Sequence, residues 1–272
     1  MQLTNVSGIL IEKKQIESEW LQRTVKIDCY LRQNIPDPLL MNLLLINDGQ
    51  NMEEMGLKSI LEILYRNNEI GPLFCVAIHT GEERKMEYGI ANKPDYNGRG
   101  AKAGLYTSFI FKELLPFIRK AYNIISFKEK AFAGFSLGGL MALDIVWNHP
   151  QEFTKAGIFS GSFWWRSIEQ DEPHYDDHQH RIMHQQIRNG KCYPGLKFFF
   201  QCGNMDEKRD RNNNGIIDSI DDTLDLIEEL KAKGYTEKDI FYLEMKDGKH
   251  DLATWARALP VFLKWGWGRG SI

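Results

Sequence analysis

Apolar positions along the chain fall into two alternating patterns. Stretches that are continuously apolar, or that alternate apolar and polar residues as β-strands do, occupy 24–31, 39–48, 73–80, 130–135, 156–162, 196–203 and 240–246. Between them, apolar residues recur at helical spacing over roughly 53–68, 103–121, 138–149, 219–233 and 251–265. Because continuous apolar strands suit a sheet buried on both faces, this alternation predicts a doubly wound, mostly parallel α/β fold.

The order of these elements also predicts how the chain is organised. The strand at 24–31 precedes every helix, so we expect it to pair antiparallel at one edge of the sheet. We find no internal repeat and no linker rich in Pro, Gly or Ser. The sequence therefore predicts a single domain over residues 1–272, with the polar stretch 166–194 inserted as a cap.

Composition narrows the class of protein. Hydrophobic residues make up 43% and charged residues 26% of the chain, as in ordinary globular proteins. The net charge of −3, with scattered Lys and Arg, argues against nucleic-acid binding. No apolar run approaches the roughly 20 residues that span a bilayer. Four distant cysteines without a CxxC pair suggest neither zinc nor disulfides: Cys29, Cys75, Cys192 and Cys202. The start lacks a signal-peptide pattern, so we expect a cytoplasmic protein.

The stretch "AFAGFSLGGL" contains a Gly-x-Ser-x-Gly motif centred on Ser136. It follows a predicted strand and opens a predicted helix, which is the context of a nucleophile elbow. Side chains at Gly134 and Gly138 would collide with neighbouring backbone in such a turn, and the helix N-terminus directs positive charge at the reacting oxygen. The alternative is a glycine-rich turn without chemistry; the context favours the nucleophile.

A serine nucleophile needs a histidine base and an acid, which follow it in the order acid then histidine in this type of fold. His250 comes directly after the last predicted strand, and the other histidines lie upstream of the acid. Asp206 follows the preceding strand, at the sheet edge where open α/β sheets build their sites. We therefore predict a Ser136–His250–Asp206 triad, with Glu207 or Asp210 as alternative acids.

An oxyanion hole requires two backbone N–H groups, one from the residue after the nucleophile and one from an earlier loop. The first is that of Leu137. The loop "NDGQN" supplies the second, with Gly49 allowing close approach and Gln50 as the expected donor. A plain turn would explain the same composition.

These segments resemble one known family. In order, "LLLINDGQNM", "ERKMEYG", "AGFSLGGLMAL", "NHPQEFTKAGIFSGSFWW", "FQCGNMDE" and "GKHDLATWARALPVFLKWGWG" are similar to the putative esterase family over roughly residues 39–265. That family includes enterochelin-type siderophore esterases, feruloyl esterases, esterase D-type enzymes and mycolyl transferases. The resemblance implies an α/β-hydrolase fold and the same triad. The "SGSFWW" run and the Arg84-x-x-Glu87 pattern look most like the enterochelin esterase branch.

Three aromatic or basic residues are candidates for substrate binding. Trp164 and Trp165 follow a strand and would line an acyl or aryl pocket, or else pack in the core. Arg84 would grip an anionic or catechol-like part of a substrate, or pair with Glu87.

Two further patterns suggest metals. The stretch "DRNNNGIIDSIDD" matches a calcium loop at six positions, Asp210, Asn212, Asn214, Ile216, Asp218 and Asp221. Position 12 is Asp instead of Glu and a strand leads in, so we favour a surface turn feeding a helix capped by Ser219. The stretch "HYDDHQHRIMH" carries His174, His178, His180 and His184, with the last two at zinc-ligand spacing, and we favour a polar cap there.

The sequence therefore predicts a serine esterase that acts on a small-molecule ester and needs no cofactor for its chemistry, with structural calcium as an open alternative. An acyltransferase of the same fold would differ only in the acyl acceptor. A non-catalytic member that binds a ligand or partner would have no chemical reason to keep both Ser136 and His250.

Overall fold

The computed structural model describes residues 8–32 and 41–270 and contains one eight-stranded sheet. The strands are β1 Ile9–Ser18, β2 Arg23–Arg32, β3 Asn42–Asn47, β4 Leu73–Ile78, β5 Lys130–Phe135, β6 Lys155–Phe159, β7 Lys197–Met205 and β8 Ile240–Lys249. Their spatial order is β1-β2-β4-β3-β5-β6-β7-β8. β2 pairs antiparallel with β1 and β4, whereas the strands from β4 to β8 pair in parallel. This is the α/β-hydrolase type of fold predicted from the sequence.

Helices cover both faces of the sheet. They are α1 Leu57–Arg66, α2 Arg84–Glu87, α3 Ala103–Phe109, α4 Leu115–Tyr122, α5 Leu137–Asn148, α6 Asp177–His180, α7 Ile182–Asn189, α8 Asp218–Ala232 and α9 Leu252–Trp267, with a π-helical segment Ile110–Leu114 joining α3 to α4. Apolar residues of α1 and α9 form one core with the sheet, and those of α3, α4, α5, α7 and α8 form a second core on the opposite face. No helix in the described ranges is both long and apolar enough to cross a bilayer.

The structure corrects the predicted edge of the sheet. The strand predicted at 24–31 is antiparallel as expected, but it is the second strand, and β1 is the edge. The sequence pattern missed β1 because only Ile9, Ile16 and Ser18 of its ten residues are buried, while charged side chains fill most other positions. The strand predicted at 39–48 is β3, and residues 39 and 40 lie outside the described ranges.

The parallel strands bring the loops that follow them to one edge of the sheet. β3, β5, β6, β7 and β8 run in the same direction, so the residues after their carboxyl ends converge there. Asp48, Ser136, Ser160, Asp206 and His250 all occupy such positions. The candidate active site lies at this edge.

Candidate active site

Ser136 occupies a strained turn between β5 and α5. Its backbone has φ 53° and ψ −120°, which a non-glycine residue adopts only when its surroundings hold it there. Its N–H donates to the carbonyl of Phe159 at 2.8 Å, and its own carbonyl accepts from the N–H of Ser162 at 3.2 Å. The half-buried Ser136 is thus held by the residues that follow β6. This is the geometry of a nucleophile elbow.

Glycine is required around this elbow. A Cβ on Gly134 would lie 2.2 Å from the carbonyl oxygen of Gly138, so β5 and α5 pack too closely for any side chain there. At Gly138 the added Cβ would meet the Asp48 carboxylate at 2.7 Å and Asn47 Cβ at 3.1 Å. The predicted collision is therefore with backbone at Gly134 but with side chains at Gly138.

The loop after β3 approaches the elbow through a buried polar network. Asp48 adopts a left-handed conformation and receives the Arg84 guanidinium on both carboxylate oxygens, at 2.6 and 2.8 Å. Arg84 Nη2, which bonds one of those oxygens, also lies 3.4 Å from the carbonyl oxygen of Phe135, the residue before the nucleophile. The Asn47 side chain donates to the carbonyl of Gly138 at 2.8 Å. These bonds fix the loop against the start of α5.

The two predicted oxyanion donors follow residues of this network along the chain. Leu137 is the first residue of α5, where a backbone N–H has no acceptor inside the helix. Gln50 lies in the 3₁₀ turn Gly49–Asn51, and its side-chain oxygen accepts from the N–H of Thr80 at 3.1 Å. A Cβ on Gly49 would lie 2.5 Å from the carbonyl carbon of Ala77, so glycine permits this loop to approach β4 closely.

His250 and Asp206 lie together at the ends of β8 and β7. Burial raises the pKa of the Asp206 carboxyl, while the Ser160 hydroxyl, the N–H of Gly203 and the charge of His250 lower it by less. Desolvation lowers the pKa of His250 and so does the charge of Arg84, whereas Asp206 and Asp251 raise it. The pKa of His250 falls below its usual 6.5, which favours the neutral base at neutral pH.

Hydrogen bonds do not yet join the three predicted triad members in the described part of the chain. The Ser136 hydroxyl lies 3.3 Å from the Ser162 hydroxyl, and Asp206 Oδ2 accepts from the N–H of Gly203 at 3.1 Å. Triad contacts are often long without substrate and shorten when it binds. The structure therefore brings Ser136, His250 and Asp206 to one edge of the sheet, but no hydrogen bond between their described side chains connects them.

The alternative acids are directed elsewhere. Burial raises the pKa of the Glu207 carboxyl, and the neighbouring Ser219 at the start of α8 lowers it by less. Asp210 accepts from the N–H groups of Asn214 and Gly215, at 3.2 and 2.9 Å within its own loop. Of the three candidates, Asp206 is the one whose pKa is lowered by the charge of His250 and whose own charge raises the pKa of His250.

The predicted substrate-binding residues differ in their surroundings. Trp164 is half-buried, stacks against the Arg99 guanidinium at 4.6 Å, and lines a pocket of about 280 Å³ that also includes Glu207. The prediction of a pocket role for Trp165 is wrong. Its side chain is fully buried, donates to the carbonyl of Lys93 at 3.1 Å, and packs so closely that Gly89 has no room for a Cβ.

Arg84 does not pair with Glu87, as one alternative proposed. Glu87 is completely buried and accepts both Arg23 Nε and Nη2, at 2.7 and 2.6 Å. Arg84 instead forms an ion pair with Asp48, and its positive charge lowers the pKa of His250. The sequence did not single out Asp48, although a polar residue directly after a buried strand is the signal that would have identified it.

The residues of the predicted calcium loop hydrogen-bond to one another and to the start of α8. The Asp221 carboxylate accepts from the side-chain amides of Asn212 and Asn214, at 2.7 and 3.0 Å. Asp218 accepts from the N–H of Arg211 at 2.7 Å and is ion-paired with that side chain. Within 8–32 and 41–270, no three His, Cys, Asp or Glu side chains converge as metal ligands. The helix that follows begins at Asp218, one residue before the predicted cap Ser219.

The four histidines of residues 174–184 do not converge as zinc ligands. His180 ends α6 and hydrogen-bonds the backbone of Asp176. His184 lies on α7, where it is fully buried and donates to the carbonyl of Asp222 at 2.8 Å. The expected shared helix face of His180 and His184 is absent because the helix breaks between α6 and α7.

Known proteins share this fold and parts of this sequence. The sequence model of the family described as "Putative esterase" matches residues 18–265. The uncharacterized protein YbbA of Bacillus subtilis is 22% identical over 232 residues, covering 82% of this chain and 84% of YbbA. The siderophore triacetylfusarinine C esterase of Aspergillus fumigatus is 32% identical over 66 residues, covering 24% of this chain and 23% of that protein.

Solved structures of the same fold include siderophore esterases. The enterobactin esterase FES of Shigella flexneri, solved with enterobactin, has a TM-score of 0.72 at 19% identity. The match covers 96% of this chain, which spans 60% of the length of that enzyme. The siderophore hydrolase EstB of Aspergillus nidulans has a TM-score of 0.68 at 16% identity, with 97% and 96% of the two chains covered. With the family match extending over residues 18–265, this chain belongs to the putative esterase family.

Proposed function

We propose that the protein hydrolyses carboxylic esters through an acyl-enzyme on Ser136. The Ser136 oxygen bonds to the ester carbonyl carbon while its proton passes to His250, and the N–H groups of Leu137 and Gln50 hold the oxyanion. His250 then returns that proton to the departing alcohol. Water, deprotonated by the same histidine, attacks the acyl carbon, the bond to the Ser136 oxygen breaks, and His250 returns the proton to that oxygen as the acid leaves. Asp206 stabilises the imidazolium formed in each half of the cycle.

The conformation of Ser136 is the observation that carries this proposal. A serine held at φ 53° and ψ −120° at the start of a twelve-residue helix is strained without any packing benefit from its side chain. The first helical N–H groups stabilise negative charge beside its hydroxyl. A plain strand-to-helix turn would not need this arrangement.

We further propose that the substrate is an ester of the siderophore class. FES and EstB, which share the fold, are named as an enterobactin esterase and a siderophore hydrolase. The pocket lined by Glu207, the residue after the proposed acid, offers Trp164, Tyr96 and Arg99, which suit an aromatic or anionic group. An acyltransferase would use the same residues, and adding alcohol acceptors followed by product analysis distinguishes transfer from hydrolysis.

The mechanism is tested with Ser136→Ala and His250→Ala. Each change removes a group that forms or breaks bonds, so hydrolysis of a p-nitrophenyl ester should fall by about 10⁴-fold or more. The melting temperature should stay near that of the unmodified protein because both side chains are partly exposed. Turnover that survives in folded Ser136→Ala would contradict the proposal.

A further inference from the structure

The turn after β6 contains a second strained serine. Ser160 has φ 47° although it is not glycine, and only 2% of it is exposed. Its N–H donates to the carbonyl of Gln201 on β7 at 2.8 Å. Two residues later, the Ser162 N–H donates to the carbonyl of Ser136. The turn is thus fastened to the elbow on one side and to the strand that carries Asp206 on the other. Strain of this kind needs a reason, and packing of a small hydroxyl does not supply one.

The Ser160 hydroxyl has a defined hydrogen-bond direction. Its oxygen accepts from the indole N–H of Trp255 at 3.0 Å. An indole N–H can only donate, so the serine proton must go to another acceptor. Asp206 can accept it, because Ser160 directly follows β6 and Asp206 directly follows β7, the strand that pairs with β6. Asp206 Oδ1 is shielded from solvent and has no hydrogen-bond partner among the described residues. The presence of the Ser160 hydroxyl also lowers the pKa of the Asp206 carboxyl, against the burial that raises it.

Trp255, which donates to Ser160, also contacts His250, the proposed base. Its ring meets the His250 imidazole edge to face, with centroids 5.1 Å apart at 77°. It also packs on Phe135, the residue before the nucleophile, at 5.2 Å. Trp255 is 7% exposed and is fixed on α9, so it is a rigid support for both contacts.

We propose that Ser160 is a positioning residue of the triad, which accepts from Trp255 and donates its proton to the Asp206 carboxylate, keeping Asp206 ionised and directed at His250. This inference rests on the proposed function of Ser136, His250 and Asp206. It adds Ser160 and Trp255, which touch neither substrate nor the reacting atoms. A bond donated to a carboxylate favours its charged form, so the chain of donors operates only while Asp206 is ionised.

The charges around this pair determine the expected pH effect. Asp206 faces His250 and Asp251, and His250 faces Asp206, Arg84 and Asp251. Replacing Ser160 removes its hydroxyl group and leaves these charges in place. The ionised Asp206 carboxylate then loses a hydrogen bond, so it is protonated more easily. The Asp206–His250 pair then releases its proton only at a higher pH. The acidic limb of the plot of kcat/KM against pH should therefore move to higher pH.

The test uses Ser160→Gly, because glycine adopts φ 47° without strain and the variant should keep its melting temperature. We expect kcat/KM for a p-nitrophenyl ester to fall by about tenfold to a hundredfold, as for loss of a hydrogen bond to a charged group. The acidic limb should move to higher pH.

Ser160→Ala is the second variant, and Trp255→Phe should shift the pH profile in the same direction by a smaller amount. Ser108→Ala, a half-buried serine on α3, is the matched control and should change neither quantity.

An Asp206→Asn background shows whether Ser160 acts through Asp206. There, Ser160→Gly should cause no further loss and no shift of the profile. An unchanged rate and profile in Ser160→Gly, or an undiminished effect in the Asp206→Asn background, would overturn the inference while leaving the Ser136 mechanism intact. If the unmodified protein neither hydrolyses esters nor reacts with a fluorophosphonate at Ser136, the proposed function fails and this inference fails with it.

Discussion

Two serines at neighbouring strand ends hold backbone conformations that L-residues avoid. Ser136 has φ 53° and Ser160 has φ 47°, and hydrogen bonds between their turns support both. Each such residue costs about 1–3 kcal/mol, which the surrounding structure must offset. Both lie where the proposed triad converges. At the scale of single residues, both strained serines therefore lie where we assign chemistry.

The acid is the residue-scale assignment that substitutions test best. Asp206→Asn removes the charge that supports the His250 imidazolium, so kcat should fall by about 10²- to 10⁴-fold. Glu207→Gln is the matched control, because Glu207 faces Ser219 at the start of α8. Steady-state kinetics of both variants would decide. A normal rate in Asp206→Asn with a slow Glu207→Gln would reassign the acid.

Residue roles were predictable from the sequence only where chain order determines them. Ser136, Asp206 and His250 follow three successive predicted strands in the order that the fold requires, and the structure places them at one edge. The pairs Arg84–Asp48 and Arg23–Glu87 were missed. They join segments 36 and 64 residues apart, whose proximity depends on strand order and on helix placement that periodicity does not encode.

At the scale of elements, the long buried strands and helices were the predictable part. The ends of α5, α8 and α9 lie within two residues of the predicted ones because each has a clear apolar face or run. The edge strand β1 and the short helices α2, α6 and α7 were missed. Ten or fewer mostly polar residues carry too little apolar periodicity to be recognised, and tertiary contacts stabilise them instead.

The contact between β5 and α5 gives a prediction at this scale. Gly134→Ala would place a Cβ 2.2 Å from the carbonyl oxygen of Gly138, so α5 must shift and carry the elbow with it. We expect a loss of unfolding free energy of about 1–3 kcal/mol and a lower kcat. Chemical denaturation and kinetics measure the two effects.

Gly266→Ala in α9 is the control for this substitution, since the nearest atom to its Cβ would lie 4.0 Å away. It should leave kcat unchanged and stabilise the helix by about 0.5–1 kcal/mol. Equal stability of Gly134→Ala and the unmodified protein would show that β5 and α5 do not pack as described.

At the scale of the whole molecule, a buried charge cluster fastens residues 166–194 to α8. Asp222 on α8 is 1% exposed and receives Arg181 from the start of α7 and Arg211 from the preceding loop, each at 2.8 Å. The neighbouring Arg188 pairs with Glu229 further along α8. We propose that these pairs hold the inserted segment beside the site, as expected for a cap.

Asp222→Asn tests this attachment. It leaves two buried guanidinium groups without their shared carboxylate, so the free energy of unfolding should fall by on the order of 3 kcal/mol. Amide exchange should rise first in α6 and α7. Asp225→Asn is the matched control, because Asp225 contacts Arg181 at 2.7 Å but is 53% exposed, and it should cost under about 1 kcal/mol. Similar effects of the two substitutions would refute the assigned role of the buried cluster.

The central claim, an activated serine at position 136, is tested most directly by fluorophosphonate labelling followed by mass spectrometry of the digested protein. A phosphonate is attacked only by a serine whose proton is taken up by a neighbouring base. The account predicts a single adduct on Ser136 that is lost in His250→Ala. Folded protein that carries no adduct, or an adduct on another serine, would contradict it.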